Sequence, residues 1–269
     1  MDRRMLVLDL DGTLLNSDKV ITPGTRTAIR KLQQAGHIVV LASGRPLPGM
    51  KPTAAELELE RYDGYVLAYN GARILDWKRQ AVLFEKTFAH SYLQGLYAAA
   101  LRHHLTILTY IDDYAIAGTD VNAYAEFEIR INRLQLKRVE NFVDHVDFPI
   151  IKCLMTGEPE QIGVCEQELL QLYGESLDIF KSEDFFLEIA AQNINKGTSV
   201  EWLVNHLGID RANVVCCGDG YNDISMLQYA GVGVAMANAK EVVKQAADVI
   251  TGSNNEDGLV SVIERFFYK

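Results

Sequence analysis

Short apolar runs, each closed by small polar residues, recur along the chain. Met5-Leu6-Val7-Leu8 runs into Asp9-Leu10-Asp11-Gly12-Thr13, and His37–Ala42 into Ser43-Gly44-Arg45-Pro46. Tyr65–Ala68 leads to Tyr69-Asn70-Gly71, and Val214–Cys217 to Gly218-Asp219-Gly220-Tyr221-Asn222-Asp223. Unbroken runs of this length read as strands buried on both faces. Between the first two, Thr22-Pro23 supplies a capping hydroxyl and a first-turn proline. Ala28, Ile29, Leu32 and Ala35 then share one helical face, and Gly36 is a stop signal. Strand, helix and strand form a βαβ unit, so the strands are parallel and their polar ends gather at one sheet edge. In open α/β sheets that edge is where ligands bind.

The pattern changes after residue 71. Ala72–Ile74 and Ala81–Phe84 read as a hairpin. From about Phe88 to Ala190 the alternation is less regular: helices near 91–104, 121–133 and 158–173, and strands near 105–111, 114–117, 150–155, 177–181 and 185–190. This reads as a second, α+β module inserted into the first. The α/β rhythm returns after Asn195-Lys196-Gly197. A helix face of Val200, Leu203, Val204 and Leu207 precedes the strand at 214–217; a helix from Ile224, a strand at 232–236, a helix near 240–247 and a short strand at 249–250 follow it. Leu259, Val262, Ile263 and Phe266 form a closing amphipathic helix.

Charge narrows the function classes. The chain has 26 basic and 36 acidic residues, a net charge of −10, which argues against a broad nucleic-acid or membrane-surface footprint. No apolar run approaches a bilayer span, and Met1-Asp2-Arg3-Arg4 lacks a signal-peptide core. The expectation is a cytoplasmic protein. Cys153, Cys165, Cys216 and Cys217 show no metal-ligand spacing and read as small buried residues. The six His residues are scattered, which disfavours a His-based zinc site or a Ser-His-Asp triad.

Four separated pieces carry the candidate chemistry: Asp9 with Asp11, Ser43-Gly44, Lys196, and Asp219 with Asn222 and Asp223. Strand alternation is expected to turn residues 9 and 11 to the same side. Asp9, Asp11 and Asp219 together suit a hard, oxygen-loving cation such as Mg²⁺. With that cation and Lys196, the site becomes a phosphate receptor. Ser43 offers a hydroxyl, and Gly44 lets backbone N–H groups approach an anion closely. One Asp can attack phosphorus while the other serves as acid and base. Arg45 fits either a phosphate contact or a surface ion pair. A dinucleotide loop is excluded, because Asp223 stands where G-x-G-x-x-G needs its third glycine.

Asp9-Leu10-Asp11-Gly12-Thr13, Ser43-Gly44-Arg45, Asn195-Lys196-Gly197 and Gly218-Asp219-Gly220-Tyr221-Asn222-Asp223 resemble the four motifs of the haloacid dehalogenase superfamily, with its Cof-type sugar-phosphatase branch the closest match. The resemblance implies an α/β fold: a Rossmann-like parallel-sheet core, residues 1–82 and 192–269, with an inserted α+β cap at 83–191. It implies Asp9 as nucleophile and Asp11 as acid/base. Mg²⁺ would be held by Asp9, the backbone carbonyl of Asp11 and Asp219, with Asp223 behind them. Leu10 through its backbone, Ser43, Gly44, Lys196 and Asn222 would contact the phosphate. Tyr110, Asp112 and Tyr114 are candidate cap contacts. The implied function is Mg-dependent hydrolysis of small phosphorylated metabolites, sugar phosphates foremost, through an aspartyl-phosphate. A phosphomutase or phosphotransferase is the alternative within enzymes. A phospho-accepting signalling domain is the rival outside them, and a silent metabolite-binding protein a further one. The sequence leaves the oligomeric state open.

Overall fold

A computed structural model describes residues 3–268; Met1 and Asp2, part of the stretch read for a signal peptide, lie outside it. In chain order the elements begin with β1 (Met5–Leu8), α1 (Pro23–Gln34), β2 (Ile38–Ala42), α2 (Leu47–Glu56), β3 (Tyr65–Ala68), β4 (Arg73–Asp76) and β5 (Ala81–Glu85). There follow α3 (Leu93–Arg102), β6 (Thr106–Ile111), β7 (Tyr114–Ala117), α4 (Ala123–Ile131), β8 (Gln135–Arg138) and α5 (Phe142–His145). Next come β9 (Lys152–Thr156), α6 (Pro159–Tyr173), β10 (Leu177–Glu183) and β11 (Phe186–Ala191). The chain closes with α7 (Lys196–Leu207), β12 (Val214–Gly218), α8 (Ile224–Tyr229), β13 (Val232–Ala235), α9 (Glu241–Gln245), β14 (Val249–Ile250) and α10 (Gly258–Phe267).

These elements fall into two compact units. One comprises residues 1–44, 50–84 and 195–269, the other 45–49 and 85–194. The first contains an eight-stranded sheet ordered β14-β13-β12-β1-β2-β3-β4-β5. β1 pairs in parallel with both β2 and β12, with Leu8 level with Leu41 and Cys217. β3 pairs in parallel with β2, and β13 with β12. The chain leaves β1 toward β2 and returns later to β1's other side, so a topological switch point lies beside β1. The expected hairpin strands extend this sheet, β4 running antiparallel to β3. β1, β2 and β3 are buried along their whole length, as apolar runs covered on both faces must be.

The helix starts follow their caps. The Thr22 side chain accepts the Thr25 N–H at the head of α1. Asn195 caps α7, accepting the Thr198 N–H at 2.9 Å, while the Thr198 hydroxyl takes the Asn195 N–H. That box makes Lys196 the first residue of α7 and turns it inward, fully buried.

The second unit has a six-stranded sheet, β10-β11-β9-β6-β7-β8, antiparallel except for β7 with β8. Leu96, Ile107, Cys153, Met155, Ile162 and Leu169 are among the side chains of its core. β8 was not expected from the sequence. All four of its residues, Gln135 to Arg138, are exposed, so hydrophobic periodicity has nothing to register. The four cysteines are buried free thiols, and burial pushes Cys153 and Cys165 up to about 12. Among the described residues no helix is long and apolar enough to cross a membrane.

Leu41 sits in the middle of the first sheet without exposed surface, whereas Leu136 on β8 is 39% exposed. Leu41→Ala is expected to cost about 2–5 kcal/mol. Leu136→Ala should stay within about 0.5 kcal/mol. Chemical denaturation of both variants checks the contrast.

Candidate active site

The loops after β1, β2, β3 and β12 leave the first sheet at the same edge. The ladder persists for one more bond there, Asp9 N–H to Cys217 O at 3.0 Å. Lys196 projects into this place from α7. Its Nζ donates to Asp9 Oδ1 at 2.5 Å and to Asp223 Oδ1 at 2.6 Å. Asp223 is also wholly buried; its Oδ2 accepts the N–H groups of Asp219 (3.0 Å) and Gly220 (2.8 Å). Among the described residues, the Asp9 side chain has no hydrogen-bond partner other than Lys196.

The carboxylates of Asp9, Asp219 and Asp223 bring oxygens within 4.8 Å of one another. Burial, and then the charge of Asp223, push the Asp9 carboxyl well above the usual carboxylate range against the pull of Lys196. Burial likewise raises Asp219 to about 6, opposed by the Thr13 hydroxyl and reinforced by Asp223. Burial alone would lower the Lys196 ammonium; Asp223 and Asp9 outweigh it and hold the charge in place. Three carboxylates face one ammonium, which leaves two negative charges uncompensated when all are ionised. An all-oxygen donor set with that deficit fits a hard divalent cation.

Asp11 stands apart from this cluster. The alternation expected to align it with Asp9 does not reach it, because β1 ends at Leu8 and the chain turns at once. Its carboxylate meets Lys19 Nζ at 2.8 Å instead. The third clustered carboxylate is therefore Asp223, not that of Asp11, a correction to the sequence-based grouping. The backbone carbonyl assigned to Asp11 by resemblance is unaffected by it.

Ser43 is buried, and its backbone bonds to β3 and the loop after it: its N–H donates to Leu67 O and its carbonyl accepts from Asn70 N–H, each at 2.9 Å. Leu10 is buried at the turn after Asp9. Asn222 is exposed and donates to Asn70 Oδ1 at 3.0 Å. In the second unit Tyr110, one of the candidate cap contacts, is buried, its hydroxyl donating to Glu128 at 3.1 Å. Asp112 and Tyr114 are exposed.

Three supporting residues escaped the sequence reading. Thr13 Oγ1 donates to Asp219 Oδ1 at 2.7 Å. Asn238 Nδ2 donates to Gly12 O at 2.8 Å and to Asp219 Oδ2 at 3.5 Å, while its Oδ1 accepts from Asn254 N–H. Asn70 joins the second and fourth polar loops from a left-handed backbone (φ 56°, ψ 25°). Thr13 was within a recognised motif, but Asn238 and Asn70 carry no charge and lie beyond the four motifs. Gly12 has φ +86°, and a Cβ there would stand 2.2 Å from Asp219 Oδ2, so the approach of Asp219 requires glycine.

A carboxylate cluster around one buried lysine, at the switch point of a parallel sheet, suits a hydrolase that transfers phosphoryl groups. The comparisons with known proteins agree. The model of the haloacid dehalogenase-like hydrolases matches residues 6–263, and the chain belongs to that family, in its Cof-type branch; it is a phosphatase. It is 32% identical to the protein YxeH of Bacillus subtilis over 97% of each chain. It is 29% identical to the 5-amino-6-(5-phospho-D-ribitylamino)uracil phosphatase YcsE of the same organism, covering 99% of this chain and 96% of that one. A crystal structure of a haloacid dehalogenase-like hydrolase from Bacteroides thetaiotaomicron superposes with a TM-score of 0.94 at 39% identity, covering 99% of this chain and all of the other. Enzymes of this family generally use a divalent metal, and the carboxylate cluster accords with that.

Two outcomes are expected. First, burial holds Asp219 at about 6, above the usual carboxylate range, so the folded state binds the proton more tightly. Without a cation, stability falls as pH rises from about 4 through 6. A divalent cation should therefore raise the melting temperature more near pH 7.5 than near pH 5. A pH-independent rise in calorimetry would contradict this. Second, Lys196→Met leaves two buried carboxylates without their partner and should cost about 3–5 kcal/mol by denaturant titration.

Proposed function

We propose that this protein is a Mg²⁺-dependent phosphatase that hydrolyses small phosphorylated metabolites, sugar or sugar-alcohol phosphates foremost, through an aspartyl-phosphate on Asp9. The observation that carries the reading is the state of Asp9. It is held at one oxygen by a buried ammonium, and its other oxygen accepts no hydrogen bond among the described residues. That second oxygen is the one available to attack phosphorus. Carboxylates act in this way toward phosphoryl groups.

Asp11 takes the acid and base role. Its carboxylate lies outside the cluster, partly exposed beside Lys19, which suits contact with a leaving oxygen rather than with a cation. It protonates the departing alcohol, then takes the proton of the water that opens the acyl phosphate. Lys196, Ser43, Gly44, Asn222 and the Leu10 backbone bind the transferred phosphoryl oxygens. Neutralising those oxygens is the main task of this reaction class. Asp9, the Asp11 carbonyl and Asp219 would hold Mg²⁺, with Asp223 behind them fixing Lys196 and the Asp219 backbone. When bound, the ion offsets the charge deficit and polarises a phosphoryl oxygen.

The units at 1–44, 50–84 and 195–269 and at 45–49 and 85–194 take the roles of catalytic core and substrate-selecting cap. The borders expected at 82/83 and 191/192 stand two to three residues before those of the units. The sugar-phosphate class draws on the Cof-type membership and on YcsE, whose named substrate carries its phosphate on a ribityl chain. A cytoplasmic location accompanies substrates of that kind.

Asp9→Asn should fold normally and lose about a thousandfold or more in turnover of an aryl phosphate, and Asp11→Asn about 10²–10⁴-fold. Free phosphate should appear in stoichiometric yield. Full activity in the Asp9 variant, or phosphate passing to a second hydroxyl, would count against the reading.

A further inference from the structure

Asn70 has no role in the reaction as set out above, yet its surroundings are specific. It follows β3 at the same sheet edge as Asp9 and Ser43. Its backbone N–H is fixed on Ser43 O. Its Oδ1 is fixed by Asn222 Nδ2 at 3.0 Å. Its amide lies 3.2–3.3 Å from the point where a Cβ of residue 44 would stand, so the glycine there makes room for this amide. Both Tyr69 (φ 55°) and Asn70 (φ 56°) have left-handed backbones, and strain of that kind persists only where the surroundings impose it.

An amide has one acceptor and two donors. With the acceptor engaged by Asn222, the Nδ2 end of the Asn70 amide is the one that remains. Among the described residues its Nδ2 has no acceptor. A half-buried, unspent donor beside Gly44 and Asn222 belongs to a site that receives an anion. A purely structural link between two loops would use the acceptor and have no need to crowd Gly44.

We propose that Asn70 and Asn222 bind the phosphoryl group of the substrate as a paired amide, Asn222 donating to Asn70 Oδ1 while Asn70 presents its Nδ2 hydrogens to the anion over Gly44. The proposal rests on the reading that this edge binds a phosphate monoester. It adds Asn70 as a substrate-binding residue and makes the contribution of Asn222 depend on it.

Two substitutions separate binding from architecture. Asn70→Gly keeps the left-handed backbone and removes the amide. Asn70→Asp keeps an acceptor for Asn222 and replaces the donor by a negative charge. The probes are inorganic phosphate as inhibitor and p-nitrophenyl phosphate as substrate, with the melting temperature followed in parallel. Asn70→Gly should weaken phosphate inhibition about tenfold or more, as loss of a hydrogen bond to a charged group does. Asn70→Asp should weaken it further, with KM raised more than kcat is lowered and an unchanged melting temperature. Asn222→Ala in the Asn70→Gly background should add less than about twofold, because the pair acts as one unit. Phosphate inhibition restored to the wild-type value by Asn70→Asp would overturn the proposal, as would independent, multiplying effects of the two positions. If the wild-type enzyme hydrolyses the aryl phosphate while both Asn70 variants bind phosphate as it does, the pair alone falls. If the wild-type protein shows no turnover at all, the parent reading falls and takes the pair with it.

Discussion

Lys196 carries its charge where no water reaches it, and the rest of the site is arranged around that fact. A buried ammonium is tolerated only beside opposite charge. Here it has Asp9 and Asp223 within 2.6 Å, so its protonated form is secured. The cost passes to the carboxylates. One positive charge among three acids cannot keep all of them ionised, and Asp9 and Asp219 both rise. The folded protein therefore stores an electrostatic deficit at one point. A divalent cation removes that deficit, and a phosphoryl group brings back negative charge that only the cation and the lysine can absorb. The family's general use of a divalent metal accords with that count of charges.

The sheet makes this concentration of like charge possible. Asp9 and Asp219 come from strands adjacent in space but separated by some two hundred residues of chain. The parallel pairing brings both strand ends to the same edge, and the topological switch leaves a crevice between them. Backbone hydrogen bonds to Cys217 O and Gly218 O extend the ladder past the strand ends, so the loops start from a rigid base. α7 contributes Lys196 at its first turn because Asn195 fixes where that helix begins. The position of the charge is set by a capping box and a strand register, not by the charged groups themselves.

The sequence disclosed the strands of the first sheet readily, since runs such as Met5–Leu8 and Val214–Cys217 must be buried on both faces. It also disclosed the charged and hydroxyl members of the site, because their motifs close those runs. What it concealed has physical reasons. β8 is an exposed edge strand, and Gln135 to Arg138 have no apolar face to announce it. Asp11 was grouped with Asp9 by strand alternation, but β1 stops at Leu8 and the turn at Gly12 breaks the period. Tyr110 was a candidate cap contact, and the alternation of β6 turns its side chain onto a buried acid, Glu128, a contact no local pattern announces. Asn70 and Asn238 are neutral side chains whose partners lie far along the chain, and only a folded chain brings them there.

The two acids flanking Lys196 differ in what they have left to offer. Asp223 accepts the ammonium on one oxygen and two backbone N–H groups on the other. Its charge is spread over three fixed donors, and it has no approach from solvent. Asp9 accepts the same ammonium on one oxygen only, and retains a small exposed area of 7%. A carboxylate with all its oxygens engaged stabilises its surroundings and reacts poorly. A carboxylate anchored at one oxygen has its orientation fixed and its other oxygen uncommitted. On the proposed reading, the choice of Asp9 over Asp223 as nucleophile rests on the hydrogen bonds each has already accepted. Interchanging the roles would require the backbone turn at Asp219-Gly220 to withdraw its two donors.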